Sequence, residues 1–394
     1  MNFDPKTYRI TDGPRSANIA LIIGLVGLAL SAVGYFVDAK HFFHAYLVSF
    51  VFWVTIGLGA LFFTMLHHLT NARWSVVLRR LSENVMSTLP LMALFAIPLL
   101  FGMHDLYHWT HAEEVAADPI LQGKAGYLNT TFFIIRLVFY FSVWFFVTRF
   151  LNKISDRQDE GGDEDFRLKL RKVSAPGMLL FAITVSFAAF DWLMSLDPHW
   201  YSTIYGAYFY SGSFLAGLSF FVVTAVYQHH KGWLTETITV EHFHDLGKLM
   251  FAFIIFWGYM AFSQYFLIWY ANLPEETVWY MDRWVGAWVP VSLVIVFGHF
   301  AIPFIALVFR ATKRKPLFLA AVSLWLLVMH WVDMYWLVFP NIYHHGAHFS
   351  WMDITTVAGI GGVFIWYFWR RHTARPLVPV GDPGLKRSIE FTNS

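Results

Sequence analysis

The sequence predicts an all-α membrane protein that crosses the bilayer about ten times. Three observations predict it. Of 394 residues, 57% are hydrophobic and only 14% are charged, where soluble domains carry about a quarter charged residues. Aromatic residues reach 20%, with 41 Phe and 18 Trp, more apolar surface than one water-soluble core can use. The apolar residues also fall in runs of the length a helix needs to span lipid, about 20 residues at ~1.5 Å each.

Reading those runs between polar breaks predicts spans near 17–37, 44–66, 85–103, 128–150, 173–195, 205–227, 247–270, 286–309, 317–338 and 353–370. The first 16 residues are polar, and the run that follows is long enough to stay in the membrane rather than be cleaved as a leader. Pro90 and Pro98 interrupt the third span, which lipid tolerates where neighbours re-satisfy the freed carbonyls. The stretch 152–172, rich in both acids and bases, reads as a solvated linker. Lys and Arg orient the chain: with the N-terminus inside, inner segments carry 24 of them and the outer loops only Lys40, Lys124 and Arg283. An N-in, C-in topology follows, with a tail at 371–394.

An internal echo organises the spans. At an offset of 162, Ala45, Tyr46, Ser49, Phe52 and His67–His68 meet Ala207, Tyr208, Ser211, Phe214 and His229–His230. Asp191 ("FDWLM") and Asp333 ("WVDMYW") echo each other at the outer ends of the fifth and ninth spans. The expected architecture is a single membrane domain of two four-helix bundles, spans 2–5 (44–195) and 6–9 (205–338), flanked by spans 1 and 10. Parallel repeats of this kind recur in transport folds.

Net charge is +2 and there is no Cys. The first argues against nucleic acid as a partner. The second excludes disulfides, thiolate zinc and Cys-held iron–sulfur or c-type haem in this chain. His pairs spaced for b-type haem, His330/His344 and His230/His244, are broken by Pro340 and by polar loop residues. No metal site is expected. The His104/His108/His111 series reads as one face of an outer helix, and His344, His345 and His348 as an outer loop, both turned toward an interface. The "GIGG" at 359–362 reads as helix packing.

An ionised side chain at mid-bilayer costs at least ~2.5 kcal/mol, so buried ionisable residues mark function. They are Arg136, Asp191, His299, His330 and Asp333, with Glu83 and Lys248 at inner span ends. His330 and Asp333 stand i and i+3 on one helical face, where an imidazole could pass a proton to a carboxylate. Tyr259, Ser263 and Gln264, above Asp245 and Lys248, form a polar row along which water could run. Proton transfer is therefore expected through these residues. Arg136 either pairs with an acid or reaches outward. In "FDWLMSLDPHWYSTIYG", Trp192, Trp200 and Tyr201 read as an interfacial aromatic belt. Asp191 or His199 there could anchor a quinol headgroup.

"DWLMSLDPHWYSTIYGAY" and "HDLGKLMFAFIIFWGYMAFSQYFLIWYANLPEE", with the repeat and the absence of Cys, resemble the NrfD/PsrC-like integral membrane subunits. Within them the chain is most similar to the ActF-type subunit of bacterial alternative complex III, a quinol:electron-acceptor oxidoreductase. The resemblance implies a bacterial cytoplasmic-membrane complex whose partners are multihaem cytochrome c subunits, an iron–sulfur subunit and a paralogous NrfD-like subunit. It implies menaquinol or another quinol as substrate, no cofactor in this chain, and a role as scaffold and proton path. The paralogue would then hold the quinol. Quinone binding by this chain itself, and a standalone transporter, stay open as alternatives.

Overall fold

The computed structural model describes residues 8–10, 15–161, 165–344 and 346–393. His345 and most of the expected N-terminal segment lie outside them. Among the described residues, ten helices are long and apolar enough to span a membrane: α1 (Arg15–Val37), α2 (Ala39–Leu69), α3 (Trp74–Phe101), α4 (Thr130–Glu160), α5 (Phe166–Leu196), α6 (Tyr205–His230), α7 (Val240–Ala271), α8 (Trp288–Val308), α9 (Pro316–Asn341) and α10 (Trp351–Thr373). The described chain is an all-α polytopic protein with no strand.

Local chemistry sets the ends. Asp38, Asn129 and Asp165 cap α2, α4 and α5 by accepting from backbone N–H groups in the first turn, and Ser350 and Asp353 form a capping box on α10. α7 ends on Asn272 in the left-handed conformation (φ 52°). α3 is segmented as its prolines require: turns interrupt it before Leu89–Phe95 and Ile97–Phe101, each with Pro in its first turn.

α2 and α6 form the centre. α3 and α5 pack around α2, with α4 outside them; α7 and α9 pack on α6, with α8 bridging α7 and α9. α2 also touches α9, and α5 touches α6, so the groups interlock along one seam. α1 and α10 pair closely and lie against α2. Their contact is a small-residue stripe: a Cβ on Gly27 would sit 2.6 Å from the Gly359 nitrogen, and one on Gly362 2.4 Å from that of Gly24.

Two expectations need correction. The acidic–basic stretch at 152–172 is mostly helix, since α4 runs to Glu160 and α5 starts at Phe166. Two of its acids are used internally: Asp156 and Asp159 meet Arg80 and Arg375 around a fully buried Glu83, while Lys153, Arg157, Glu160, Asp165, Lys169, Arg171 and Lys172 are exposed as expected. The presumed aromatic belt is also largely internal. Trp192 and Trp200 are buried and only Tyr201 is exposed; Trp200 stacks on Trp279 at 4.4 Å, filling the gap between α5 and the α7–α8 connection.

The C-terminal tail straps the face that carries both termini. Leu377 N–H donates to the Tyr8 carbonyl at 2.8 Å, and Asp382 meets Arg79 at 2.5 Å and Arg167 at 2.8 Å. Farther along, the Ser388 hydroxyl donates to the Trp74 carbonyl at 2.6 Å. Burial alone would raise the Asp382 pKa, but the two guanidiniums hold it down to about 2. A carboxylate depressed below its ordinary value stabilises docking above about pH 4, and that contribution disappears as pH falls toward 2. Asp382→Asn should therefore make tryptic release of the tail at pH 7 about tenfold faster; an unchanged rate would show that the apolar anchors Val378 and Leu385 hold it alone.

Candidate functional site

The two echoed acids have different surroundings. Asp191, on α5, is 1% exposed and accepts from Arg136 Nε at 2.8 Å and Arg136 Nη2 at 2.9 Å. Tyr127 and Tyr140 hydroxyls donate to the same carboxylate at 2.9 and 2.7 Å. Arg136 is also held by the Tyr127 carbonyl at 2.9 Å and by the Tyr127 ring, 3.8 Å from its guanidinium carbon. Of the two expectations for Arg136, pairing is the one observed. With four donors on one carboxylate, Asp191 has its hydrogen-bonding capacity taken up. The arrangement ties α4 to α5 as a bidentate clamp.

Asp333, on α9, is fully buried. Oδ1 accepts the Tyr208 hydroxyl of α6. Among the described residues, Oδ2 has no hydrogen-bond partner, and Trp257 Nε1 of α7, close enough to interact with the carboxylate, makes no well-formed hydrogen bond. His330 bonds Thr55 of α2 (Nε2 to Oγ1, 2.9 Å) and leaves Nδ1 unpartnered. His299 lies in a π-helical turn of α8, Ile295–Ala301. Its ring packs 4.0 Å from Trp257 and 6.3 Å from His330, and among the described residues neither of its nitrogens has a partner. Each such buried polar atom costs about 1–3 kcal/mol, and such atoms in membrane interiors mark functional sites.

His330 and Asp333 thus share a face of α9 but not a hydrogen bond. At i and i+3 their side chains diverge enough for one to reach α2 and the other α6. The direct His–Asp relay expected between them is replaced by a Tyr208–Asp333 pair with two separate imidazoles inward of it.

A cavity of about 740 Å³ lies between α7 and α8, lined in part by Tyr208, Trp257, Gln264, Tyr280, Phe300 and Trp336. At its mouth Ile255, Tyr259, Phe262 and Val296 are exposed on the apolar flank. Its inner end is polar: Tyr208 connects it to Asp333, Gln264 Nε2 donates to the Tyr280 hydroxyl at 3.0 Å, and Gln264 Oε1 has no partner. The size and the few converging polar groups match small-molecule sites in general.

Other expected residues stand apart. The polar row on α7 is not continuous. Tyr259 is exposed, Ser263 half-buried and Gln264 buried, while Met250, Ile254 and Trp257 fill the buried face below. Asp245 and Lys248 pair with each other and with Asn393 of the tail. His199 is exposed and bonds Asp118 at 2.5 Å, tying two far-face loops. His104, His108 and His111 do not share a helix face, because the chain is extended at Tyr107 and His111.

Sequence reasoning missed Thr55, Tyr127, Tyr140 and Trp257. It placed Tyr208 only in the repeat, and its alignment with Tyr46 was the available signal. Arg283 was read as a loop cation. It is buried, sandwiched on the Trp279 indole at 3.4 Å, and donates to the Trp279 and Leu337 carbonyls at 2.8 and 3.1 Å. Burial lowers its pKa to about 10.

Fold and site together define a multi-pass helical membrane protein with a buried acid behind a cavity on its apolar flank. No protein-family model matches the chain, and no curated protein matches it.

Breaking a buried ion pair costs about 3–5 kcal/mol because the remaining charge is stranded. Arg136→Met and Asp191→Asn should each lower thermal stability in detergent by that order. The double variant Arg136→Met/Asp191→Leu should lose less than either single change. A double variant as damaged as the sum of the singles would contradict a clamp.

Proposed function

We propose that this chain is a membrane-embedded subunit of a quinol-oxidising electron-transfer complex, and that its second group of helices binds the quinol and takes up its protons. The supporting observation is Tyr208, which lines the cavity and donates to the buried Asp333. Aromatic walls suit a flat headgroup, and a mouth on the apolar flank suits a lipid-soluble tail.

Oxidation of a quinol to a quinone releases two electrons and two protons. The electrons pass to centres on partner subunits: multihaem cytochromes c and an iron–sulfur protein, alongside a paralogous membrane subunit. A quinol hydroxyl at the inner end of the cavity hands its proton to the Tyr208 oxygen as the Tyr208 proton moves to Asp333. The tyrosine is regenerated and the acid becomes neutral. His330 and His299 lie beyond the acid without a hydrogen bond to it among the described residues, so the proposed path ends at Asp333. Menaquinol or a related quinol is the substrate class, and the setting is a bacterial cytoplasmic membrane with both termini inside.

This reading moves the quinol away from Asp191 and His199. The first is saturated by Arg136 and two tyrosines, and the second is exposed. It also joins the proton-path and quinone-binding expectations in one site. Losing a positioned proton acceptor costs about 10²–10⁴-fold in rate. Asp333→Asn and Tyr208→Phe, in the purified complex, should each lower quinol oxidation by at least a hundredfold while subunit composition stays unchanged. Full turnover in Asp333→Asn would refute the assignment.

A further inference from the structure

The loop joining α3 to α4 carries a cluster that the proposed quinol chemistry does not use. In "HDLYHWTHAEE", Tyr107 and Trp109 point inward and are buried. The Tyr107 hydroxyl donates to the Trp192 carbonyl at 3.2 Å, and the Tyr107 and Trp109 rings stack at 5.1 Å. The Thr110 hydroxyl closes the turn on the Tyr107 carbonyl at 2.7 Å. His108, between the two buried rings, and His111, after Thr110, are therefore presented outward from a fixed base. Glu114, on the short helix Ala112–Ala117, completes the cluster. Its Oε1 lies 2.8 Å from His111 Nδ1 and its Oε2 3.3 Å from His108 Nδ1.

The hydrogen-bond accounting at His111 does not close with a neutral ring. Its Nε2 faces the His104 carbonyl at 2.7 Å, so that nitrogen carries the N–H. Its Nδ1 faces a carboxylate oxygen, which is also an acceptor. A neutral imidazole has one N–H and one lone pair. The second contact requires a cation between nitrogen and oxygen: a proton on Nδ1, or a metal ion. An imidazole that donates its outer N–H to a backbone carbonyl has its tautomer and ring orientation fixed as in metal-bound histidines. His108 Nδ1 faces the other oxygen of the same carboxylate, so two imidazoles and one carboxylate converge from a single short segment.

We propose that His108, His111 and Glu114 form a binding site for a divalent transition ion of the zinc class, on the face opposite the chain termini. Their ligand atoms all lie within 4.8 Å of one another. Metal–ligand bonds of about 2.0–2.2 Å place the ligands of a tetrahedral shell about 3.3 Å apart, so small side-chain adjustments close the site. Two imidazoles and a carboxylate suit Zn²⁺ and its neighbours over Mg²⁺ or Ca²⁺, which prefer all-oxygen shells. Water fills the fourth position. The ion would lock the turn after α3 to the helix Ala112–Ala117 and hold the loop against α5.

The test uses the full chain, in its native complex or in detergent, purified without a polyhistidine tag and stripped with a chelator. Co²⁺ is titrated while the visible absorption of four-coordinate Co²⁺ is recorded, and Zn²⁺ is then added to displace it. The expected result is one ion per chain. His108→Gln, His111→Gln and Glu114→Gln should each weaken binding at least about tenfold, whereas His344→Gln should leave it unchanged. Melting of the metal-free variants should match that of the parent, because the three side chains are exposed or half-exposed. Absence of stoichiometric uptake, with His111 holding only a proton, would overturn the proposal. So would uptake that persists at full affinity in the His108→Gln/His111→Gln double variant.

Discussion

The close approach of α2 and α6 is the constraint on which the rest of the structure depends. A Cβ on Gly59 would fall 2.4 Å from the Ser213 carbonyl oxygen, and one on Gly217 would fall 3.0 Å from the Gly59 backbone. These two helices are the most buried of the ten. Lipid offers helices no hydrophobic reason to associate, so contact between small residues and hydrogen bonding must supply it. Thr55 stands one turn before Gly59 and bonds His330 of α9 at 2.9 Å. Tyr208, near the start of α6, is brought to Asp333 by the same packing.

The two halves of the chain hold an acid at corresponding places and treat it differently. In the first half a guanidinium lies directly on the carboxylate, and two tyrosines fill what remains. Neutralisation inside a low-dielectric setting makes that acid a structural element. In the second half the nearby cation, Arg283, is taken by two carbonyls and two indole faces. Asp333 is left with a tyrosine on one oxygen and, among the described residues, no well-formed hydrogen bond on the other, where the Trp257 indole lies close. The chain thus carries a closed acid site and a more open one, and the cavity lies beside the open one.

The ten helices were legible because span length and Lys/Arg placement are strong one-dimensional signals. The segmentation of α3 was legible from Pro90 and Pro98. Arg136 and Asp191 were each conspicuous as charges in apolar runs, but their pairing is 55 residues apart in sequence, and no local pattern predicts it. Trp200 was misread because an interfacial tryptophan and one stacked on Trp279 look identical in sequence. The polar row on α7 failed for a related reason: helical spacing says which residues share a face, not whether that face meets a neighbour or lipid. The π-helical turn that sets His299 against Trp257 had one local signal, Pro303, which has no N–H to bond the His299 carbonyl. Most charges of the stretch 152–172 do face solvent, but Asp156 and Asp159 meet Arg375 and Arg80 from distant segments, which no local pattern shows.

The central claim is that a quinol headgroup enters between α7 and α8 and reaches Tyr208. Photolabelling of the intact complex with a photoreactive quinone, followed by peptide mapping, tests it most directly. The account predicts label on the cavity wall, within residues 255–265 and 292–300, with labelling suppressed by excess native quinol. Label confined to partner subunits, or to the Arg136–Asp191 end of this chain, would contradict it.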